Sequence, residues 1–184
     1  GEVIAIDGVR GHLTHGDAGA LCGLSAGLPK GALIAEVGSY AGLSAITMAA
    51  ANPGVRVLAH DTWTGNPGWR VEETATKSEF ASNVERLGFA DVIRGVEGDS
   101  VESARLYPPG KFQMIFIDGD HSLDGVRRDL QAWWHLLSPG GVFAGHDCVA
   151  GHDVDLATRV FCKEMNLKRV VLPFTHGIFR LTPA

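Results

Sequence analysis

Acidic residues and histidines are concentrated in two stretches of the second half of the chain. The first is Asp118-Gly-Asp-His121 and the second is His146-Asp147, and each directly follows an apolar run. Histidine suits general acid–base chemistry because its pKa lies near neutral pH. Carboxylates and imidazoles can also hold a divalent metal ion whose bound water attacks a substrate. Together with Asp120, His152 and Asp153, this set allows a metal-dependent hydrolase as one hypothesis.

A second series of acids lies in the first half, where Glu36, Asp61 and Asp99 stand at the ends of short apolar segments. Ligands of open parallel α/β sheets bind beyond the carboxyl ends of the strands. Glu36 precedes the glycine turn 38–42, and a carboxylate at this position repels a pyrophosphate and attracts a cation. The G-x-x-x-G spacing of the turn also differs from the G-x-G-x-x-G fingerprint of dinucleotide-binding proteins. Asp61 is interpreted as a ligand of both ribose hydroxyls, with turn capping as the alternative. Asp99 either accepts the amine of adenine or caps the following helix.

Alternating strands and helices must position these acids. Hydrophobic patterns predict strands at 33–37, 55–60, 92–96, 112–117, 142–145, 168–174 and 177–181. They predict helices at 18–28, 43–51, 76–87, 154–165 and after Ser122. We expect Asp17, Ser100 and Ser122 to cap helices, Leu137 to face the core from the helix after Ser122, and 138–141 to form a tight turn. The last two strands are too close for a parallel crossover, so we expect an antiparallel hairpin.

Two irregular segments are candidates for the walls of a site. Residues 1–16 contain several glycines and two histidines, and we interpret them as a flap. The loop 62–69 contains Trp63 and Trp69, which we expect to be exposed. These tryptophans would form a wall or lid for an organic substrate, or else Trp63 would anchor the loop in the core. The sequence leaves both alternatives open.

Composition restricts the class of protein. The 184 residues, 45% of them hydrophobic, fit one domain over residues 1–184. The net charge of -5 argues against a nucleic-acid partner bound through a broad basic surface. No apolar run approaches the ~20 residues of a membrane span, so we expect no membrane partner. The 3 cysteines lack CxxC spacing and are expected to be reduced, which favours a cytoplasmic protein. The oligomeric state is open, and a homo-oligomer is compatible with the composition.

Two stretches carry a resemblance to a known family. Glu36-Val-Gly-Ser-Tyr-Ala-Gly42 resembles the first motif of the class I methyltransferases that use S-adenosylmethionine (SAM). The run from Phe116-Ile-Asp-Gly-Asp-His121 to Leu137-Ser-Pro-Gly-Gly-Val-Phe-Ala-Gly-His-Asp147 resembles the subfamily of antibiotic-tailoring and sugar O-methyltransferases and, more distantly, catechol O-methyltransferase. The resemblance implies an α/β fold, a Rossmann-like methyltransferase sandwich. Its sheet is seven-stranded and mostly parallel, with an antiparallel C-terminal strand and helices on both faces.

The resemblance also implies site residues. The implied SAM-binding residues are Glu36, Gly38, Ser39, Tyr40, Gly42, Ser44, Asp61, Thr62, Trp63, Gly98, Asp99, Ser100, Asp118 and His121. The implied catalytic residues are His121, His146 and Asp118, with His146 and His121 as alternative bases. The implied ligands of a divalent metal ion are Asp118, His146 and Asp147. Catechol O-methyltransferase has a carboxylate and an amide at the last two of these positions, and a histidine favours manganese, iron or zinc over magnesium. A metal-free site with His146 as the base is the alternative.

The function implied by the resemblance is transfer of a methyl group from SAM to a hydroxyl oxygen of a small molecule, such as a sugar, a phenol or another natural product. Two other hypotheses remain. The metal-dependent hydrolase leaves Glu36, Asp61 and Asp99 without a role. A nucleoside-binding domain without catalytic activity is compatible with the same fold, because fold does not determine function.

Overall fold

A mixed β-sheet forms the centre of the molecule. The computed structural model describes residue 6, residues 8–65 and residues 70–184. The strands within these residues are β1 (Leu33–Val37), β2 (Arg56–Asp61), β3 (Ile93–Glu97), β4 (Phe112–Ile117), β5 (Leu137–Gly145), β6 (Leu167–Val171) and β7 (Phe179–Pro183). Their order is β3-β2-β1-β4-β5-β7-β6, and β7 runs antiparallel to both neighbours while the other pairs are parallel. The predicted sheet and its C-terminal hairpin are confirmed.

Helices cover both faces of this sheet. Within the described residues they are α1 (His15–Ala26), α2 (Leu43–Ala51), α3 (Lys77–Arg86), α4 (Ser100–Ala104), α5 (Leu123–Trp133) and α6 (Asp153–Met165), with 3₁₀ turns at Val71–Glu73 and Trp134–Leu136. Buried side chains of α1, α2 and α3 belong to one hydrophobic cluster, and those of α4, α5 and α6 belong to another. None of the helices in the described part of the chain combines the length and apolar character needed to cross a membrane.

Strand β4 supplies both clusters because alternate residues of a strand face opposite sides of a sheet. Met114 and Phe116 pack with the first cluster. Ile115 and Ile117, at the alternate positions, pack with the second. Phe112 also packs with the second cluster and departs from the alternation, at the point where the register with β5 shifts between Phe112 and Met114. All five are buried, which explains the almost wholly apolar run in the sequence.

The strand order reverses direction at β1, which lies between β2 and β4. The register aligns Val37 with His60 of β2 and with Ile117 of β4, so the three strands end at the same level. Ligands of doubly wound sheets bind at such a switch point. The segments that follow these three strands, beginning at Gly38, Thr62 and Asp118, therefore surround one crevice.

The beginning of α1 differs from the prediction. Thr14 is the N-cap, in an extended conformation, and Asp17 is the third residue of the helix rather than its cap. The Thr14 hydroxyl accepts a hydrogen bond from Asp17 N, and the Asp17 carboxylate accepts one from Thr14 N. Both residue types are good caps, and the reciprocal pair is more favourable than Asp17 alone because it satisfies two backbone donors.

The other two predicted caps had different outcomes. Ser122 caps α5 as predicted, because its hydroxyl accepts a hydrogen bond from Gly125 N at 3.1 Å. Ser100 is the first residue of α4, and the N-cap is Asp99, so the prediction of a Ser100 cap is wrong. A carboxylate at this position accepts two backbone N–H groups at once, whereas the Ser100 hydroxyl is used elsewhere.

The segment before the end of β5 was also predicted incorrectly. Residues 138–141 belong to β5 rather than to a separate turn, and Leu137 begins this strand instead of lying on the preceding helix. The register passes from Phe112 opposite Leu137 to Met114 opposite Val142, so β5 carries extra residues in a bulge. Gly140 has a φ of 75° there. The glycines that indicated a turn thus serve a bulge within the strand.

Candidate active site

The glycine turn between β1 and α2 lies against the end of β4. Gly38 and Gly42 have φ of 87° and 97°, values that side chains with a Cβ rarely adopt. A Cβ on Gly38 would collide with the backbone carbonyl of Asp118. Only glycine therefore allows the turn to approach the strand end so closely.

Asp61 holds this turn in place. Its Oδ2 accepts hydrogen bonds from Ser39 N and Tyr40 N, both at 2.8 Å, and its Oδ1 accepts one from Trp63 N at 2.7 Å. A carboxylate has about four acceptor positions, so these bonds leave capacity for a ligand. The predicted contact with ribose hydroxyls stays a prediction, and the structure adds a role in shaping the turn.

Glu36 is a fully buried carboxylate beside the crevice. Neither of its oxygens has a hydrogen-bond partner in the described part of the chain, and the same holds for the hydroxyl of Ser39. Burial raises the pKa of Glu36 to about 7, although the nearby hydroxyls of Ser44 and Ser39 act in the opposite direction. Buried polar groups without partners are rare in folded proteins. Ser39 and Ser44 line the larger cavity, so Glu36 lies behind the wall that these two residues form.

Two cavities open along the carboxyl edge of the sheet, with volumes of about 440 and 270 Å³. Gly38, Tyr40 and Asp118 line both cavities. The other predicted cofactor residues divide between them: Ser39, Ser44 and His121 line the larger cavity, and Asp61, Thr62, Trp63, Gly98, Asp99 and Ser100 line the smaller. Glu36 and Gly42 are not among the lining residues.

At the far end of the smaller cavity, Asp99 and Ser100 interact with the protein itself. Asp99 Oδ1 accepts hydrogen bonds from Val101 N and Glu102 N, so the predicted alternative of helix capping is present. The predicted contact with adenine is untested. The Ser100 hydroxyl donates to Asp129 Oδ1 at 2.5 Å and accepts from the Trp133 indole at 2.9 Å.

Trp63 is buried, so the prediction that it is exposed is wrong. Its ring lies 5.1 Å from that of Phe80, and its indole N–H donates to the carbonyl of Tyr40 at 2.9 Å. These contacts fit the interpretation of Trp63 as the anchor of its loop. Trp69, the other tryptophan of that prediction, lies outside the described residues.

The Asp/His cluster occupies one wall of the larger cavity. Nδ1 of His146 lies 3.6 Å from Asp118 Oδ1 and 3.4 Å from Asp147 Oδ2. Nε2 of His121 lies 3.5 and 3.3 Å from the same two oxygens. The structure thus brings together all four predicted residues, and both histidines face the same pair of carboxylates.

Opposite charges perturb the pKa values within this cluster. Burial disfavours the charged form of His146, but Asp118 and Asp147 outweigh burial and raise its pKa to about 11. Contact with Asp118 raises the pKa of His121. Burial would raise the pKa of Asp118, yet hydrogen bonding and charge from the two histidines lower it. In the metal-free protein the cationic ring of His146 therefore balances the carboxylates.

The remaining Asp/His candidates lie outside the cluster. Asp120 accepts a hydrogen bond from Ser122 N, and Asp153 accepts one from Leu123 N, so both support the start of α5. His152 is the N-cap residue of α6 and lines a neighbouring groove. The dense set that suggested a hydrolase is therefore divided between structural contacts and one four-residue cluster.

Three further residues around the larger cavity were not predicted to belong to the site. Arg10 donates to Glu79 and to the Tyr40 hydroxyl, which fastens the segment before α1 across the turn. His176 lies 3.9 Å from Asp147 Oδ1. Asp17 is fully buried next to His146. The spacing Thr14-x-x-Asp17 could have indicated a capping box, but nothing in the sequence links Asp17 to a strand end 129 residues later.

Comparisons with known proteins agree with this architecture. Residues 35–148 match a family model described as a methyltransferase domain. The O-methyltransferase NovP superposes with a TM-score of 0.75 at 13% identity, over 92% of this chain and 80% of NovP. An O-methyltransferase from Bacillus cereus in complex with SAH gives 0.69 at 19% identity, over 95% and 84%. Precorrin-6y C5,15-methyltransferase from Geobacter metallireducens gives 0.69 at 12% identity, over 98% and 92%.

The sheet order and the glycine turn at the switch point are those of the Rossmann-like methyltransferase fold. The superpositions, at these identities, support the fold alone. The family model matches more than half of the chain, and the chain belongs to this methyltransferase-domain family. It is a SAM-dependent methyltransferase, and the resemblance stated from its motifs is confirmed.

Proposed function

We propose that the chain transfers the methyl group of SAM to a hydroxyl oxygen of a small molecule, assisted by a divalent metal ion bound at the Asp/His cluster. The observation that carries this proposal is the position of Asp118. It lines both cavities and also belongs to the cluster. An acceptor held at the cluster would therefore lie next to a cofactor that spans the two cavities.

The residues of the crevice fit SAM in one orientation. The smaller cavity, with Asp61 and Asp99 at its wall, suits the nucleoside, whose hydroxyl and amine groups are hydrogen-bond donors. The larger cavity suits the methionine part and the acceptor. The orphaned carboxylate of Glu36 beside this cavity favours a ligand with positive charge. A sulfonium cofactor with an amino group meets that requirement, whereas a pyrophosphate does not.

The donor set fits a transition-metal ion better than magnesium. Oδ1 of Asp118, Nδ1 of His146 and Oδ2 of Asp147 are separated by 3.6 and 3.4 Å from one to the next. Neighbouring ligands on one ion, with bonds of about 2.1 Å, lie about 3.0 to 3.4 Å apart, so small side-chain shifts would suffice. An imidazole with two carboxylates is typical of manganese, iron or zinc. When bound, such an ion would lower the pKa of a coordinated hydroxyl.

The residues of the chain have the remaining tasks of orientation and proton transfer. Methyl transfer is an in-line displacement, so holding the acceptor oxygen opposite the methyl group supplies much of the rate increase. We assign His121 as the base because 44% of its side chain is exposed, against 4% for His146. A metal ion on Asp118 and Asp147 would offset the negative charge that raises the pKa of His121, and the neutral, exposed imidazole could then accept the proton of the acceptor and release it to solvent. His146 is assigned as a ligand, and His121 is the alternative third ligand, because Asp118, His121 and Asp147 also place one ligand atom each within 4.8 Å of one another.

Calorimetry and an activity assay together test this proposal. The wild type should bind SAM and SAH at micromolar concentration, bind Mn²⁺, and methylate at least one member of a panel of sugars, phenols and catechols. His146→Ala should weaken Mn²⁺ binding, and His121→Gln should lower turnover while Mn²⁺ affinity is kept. His135→Ala, at an exposed position away from the site, is the control.

Other results would support the competing hypotheses. A hydrolase would bind Mn²⁺ and ignore SAM and SAH, and a non-catalytic nucleoside-binding domain would bind SAM without turnover of any acceptor. Equal turnover with and without EDTA would refute the assistance by a metal ion but would leave the proposed methyl transfer intact.

A further inference from the structure

Asp17 is a buried carboxylate that joins three separate parts of the chain. Its Oδ2 accepts hydrogen bonds from Thr14 N at 2.8 Å and from the Thr14 hydroxyl at 2.7 Å. Its Oδ1 accepts one from His176 N at 2.7 Å. The same Oδ2 lies 3.4 Å from Nε2 of His146. The carboxylate thus touches the start of α1, the segment before β7 and the end of β5.

The ring of His146 has carboxylates on two sides. Nδ1 faces Asp118 and Asp147, and Nε2 faces Asp17. Within the described residues Nε2 forms no hydrogen bond, and its ion-pair partner is Asp17 Oδ2 at 3.4 Å, which a small shift of the ring would bring into hydrogen-bond geometry. Only 5% of His146 is exposed, and water cannot easily replace Asp17 in this position. The identity of the nitrogen that faces the cavity therefore depends on Asp17.

We propose that Asp17 is a positioning residue, which accepts the Nε2–H of His146 and so keeps Nδ1 directed at Asp118 and Asp147. Insofar as Nδ1 is a metal ligand, this inference rests on the proposed function. Histidine ligands commonly donate their second nitrogen to a carboxylate, which fixes the tautomer and the ring orientation. Helix α1 would then be part of the site, although it contributes no ligand.

The contacts of Asp17 favour the ionised carboxylate that this role needs. The Thr14 backbone N–H, the Thr14 hydroxyl and the His176 backbone N–H all donate to its two oxygens, and a carboxylate without a proton can accept all three. An amide in place of the carboxylate cannot serve all these donors. Asp17→Asn keeps the shape of the side chain, but an amide nitrogen at the position of Oδ2 cannot accept the Nε2–H of His146.

The first test is Mn²⁺ titration calorimetry of Asp17→Asn. Loss of a carboxylate that orients a ligand typically weakens metal binding about 10- to 100-fold, and we expect a loss in that range. Asp155→Asn is the matched control, because Asp155 is also a buried carboxylate in the first turn of its helix, α6. Its metal affinity should equal that of the wild type.

A double-variant cycle separates positioning from a general structural effect. If Asp17 acts through His146, then Asp17→Asn should cause no further loss of Mn²⁺ affinity in a His146→Ala chain. An equal loss in both backgrounds would overturn the proposal. So would unchanged affinity of a folded Asp17→Asn variant.

The metal-free wild type provides an independent readout by ¹⁵N–¹H NMR of the imidazole groups. Because the ring of His146 is cationic in the metal-free protein, both of its nitrogens carry a proton, and we expect the Nε2–H signal to exchange slowly with solvent in the wild type and measurably faster in Asp17→Asn. An Nε2–H of His146 that exchanges freely with solvent in the wild type would refute the role of Asp17, even if the variant fails to fold. If the wild type shows this signal but binds no metal, the metal hypothesis fails and the positioning role stands.

Discussion

His60 provides a prediction about stability that can be worked out from its surroundings. It lies at the end of β2 and is 1% exposed. Nδ1 is 3.0 Å from the carbonyl of Glu36, and Nε2 is 2.9 Å from the Tyr107 hydroxyl. The perturbation is His60→Gln, which keeps a polar side chain there but cannot titrate.

The magnitude follows from the pKa of His60. Burial lowers it to about 4, from an ordinary value near 6.5. The unfolded chain therefore binds a proton between pH 6.5 and 4 that the folded chain does not, so His60 reduces the free energy of unfolding as the pH falls through this window. Each pKa unit corresponds to about 1.4 kcal/mol, which gives about 3 kcal/mol in total.

Glu36 has the opposite effect and hides that of His60 in the wild type. Burial raises its pKa to about 7 from an ordinary 4.5. The folded chain then binds the extra proton, so this contribution to stability is present at low pH and is lost between about pH 4.5 and 7. The two effects should largely cancel between pH 4.5 and 6.5.

Urea unfolding of the wild type and of His60→Gln, both without SAH and at several pH values from 4.5 to 6.5, measures the contribution of His60 to the free energy of unfolding. The free energy of unfolding of the wild type, minus that of His60→Gln, should increase by about 2 kcal/mol over these two pH units. His135→Gln, at an exposed position, should show no such trend. A constant difference between wild type and His60→Gln would refute the argument that burial keeps His60 neutral.

Two further predictions concern the glycine turn. Gly38→Ala should weaken SAH binding at least 10-fold in calorimetry, because its Cβ would collide with the Asp118 backbone. Gly19→Ala in α1 is the contrasting variant. Open space surrounds Gly19, so this change should raise the free energy of unfolding by up to about 1 kcal/mol. Asp61→Asn should also weaken SAH binding about 10-fold, because an amide cannot accept all three backbone N–H groups. Asp91→Asn, at an exposed position, is the control, and equal SAH affinity in the two variants would exclude the role of Asp61.

Local pattern was enough to predict the buried elements. The structure has the predicted bounds at β1, α2 and β4, because a continuous apolar run or helical period there meets a clear stop, such as Gly38 or Asn52. The first residue of a helix was harder to predict where two nearby residues could both serve as its N-cap. Thr14 competed with Asp17, and Asp99 competed with Ser100; in both places the earlier residue became the N-cap.

Tertiary contacts decided what the sequence could not. The convergence of Asp118, His121, His146 and Asp147 followed from strand direction, so the cluster was predictable. The burial of Trp63 depended on Phe80, which lies in a later helix. The approach of Asp17 to His146 required the packing of α1 against the end of β5, for which residue spacing holds no signal.

The internal position of β7 has a consequence for biosynthesis. β7 lies between β5 and β6, although it leaves the ribosome after both. A nascent chain that has not reached Phe179 has two unpaired strand edges, and such edges promote aggregation and chaperone binding. Gly145, directly before His146, packs so closely against the ring of Phe179 that a Cβ there would clash. The end of β5, where His146 and Asp147 lie, should therefore reach its final structure only after β6 and β7 have formed their hairpin.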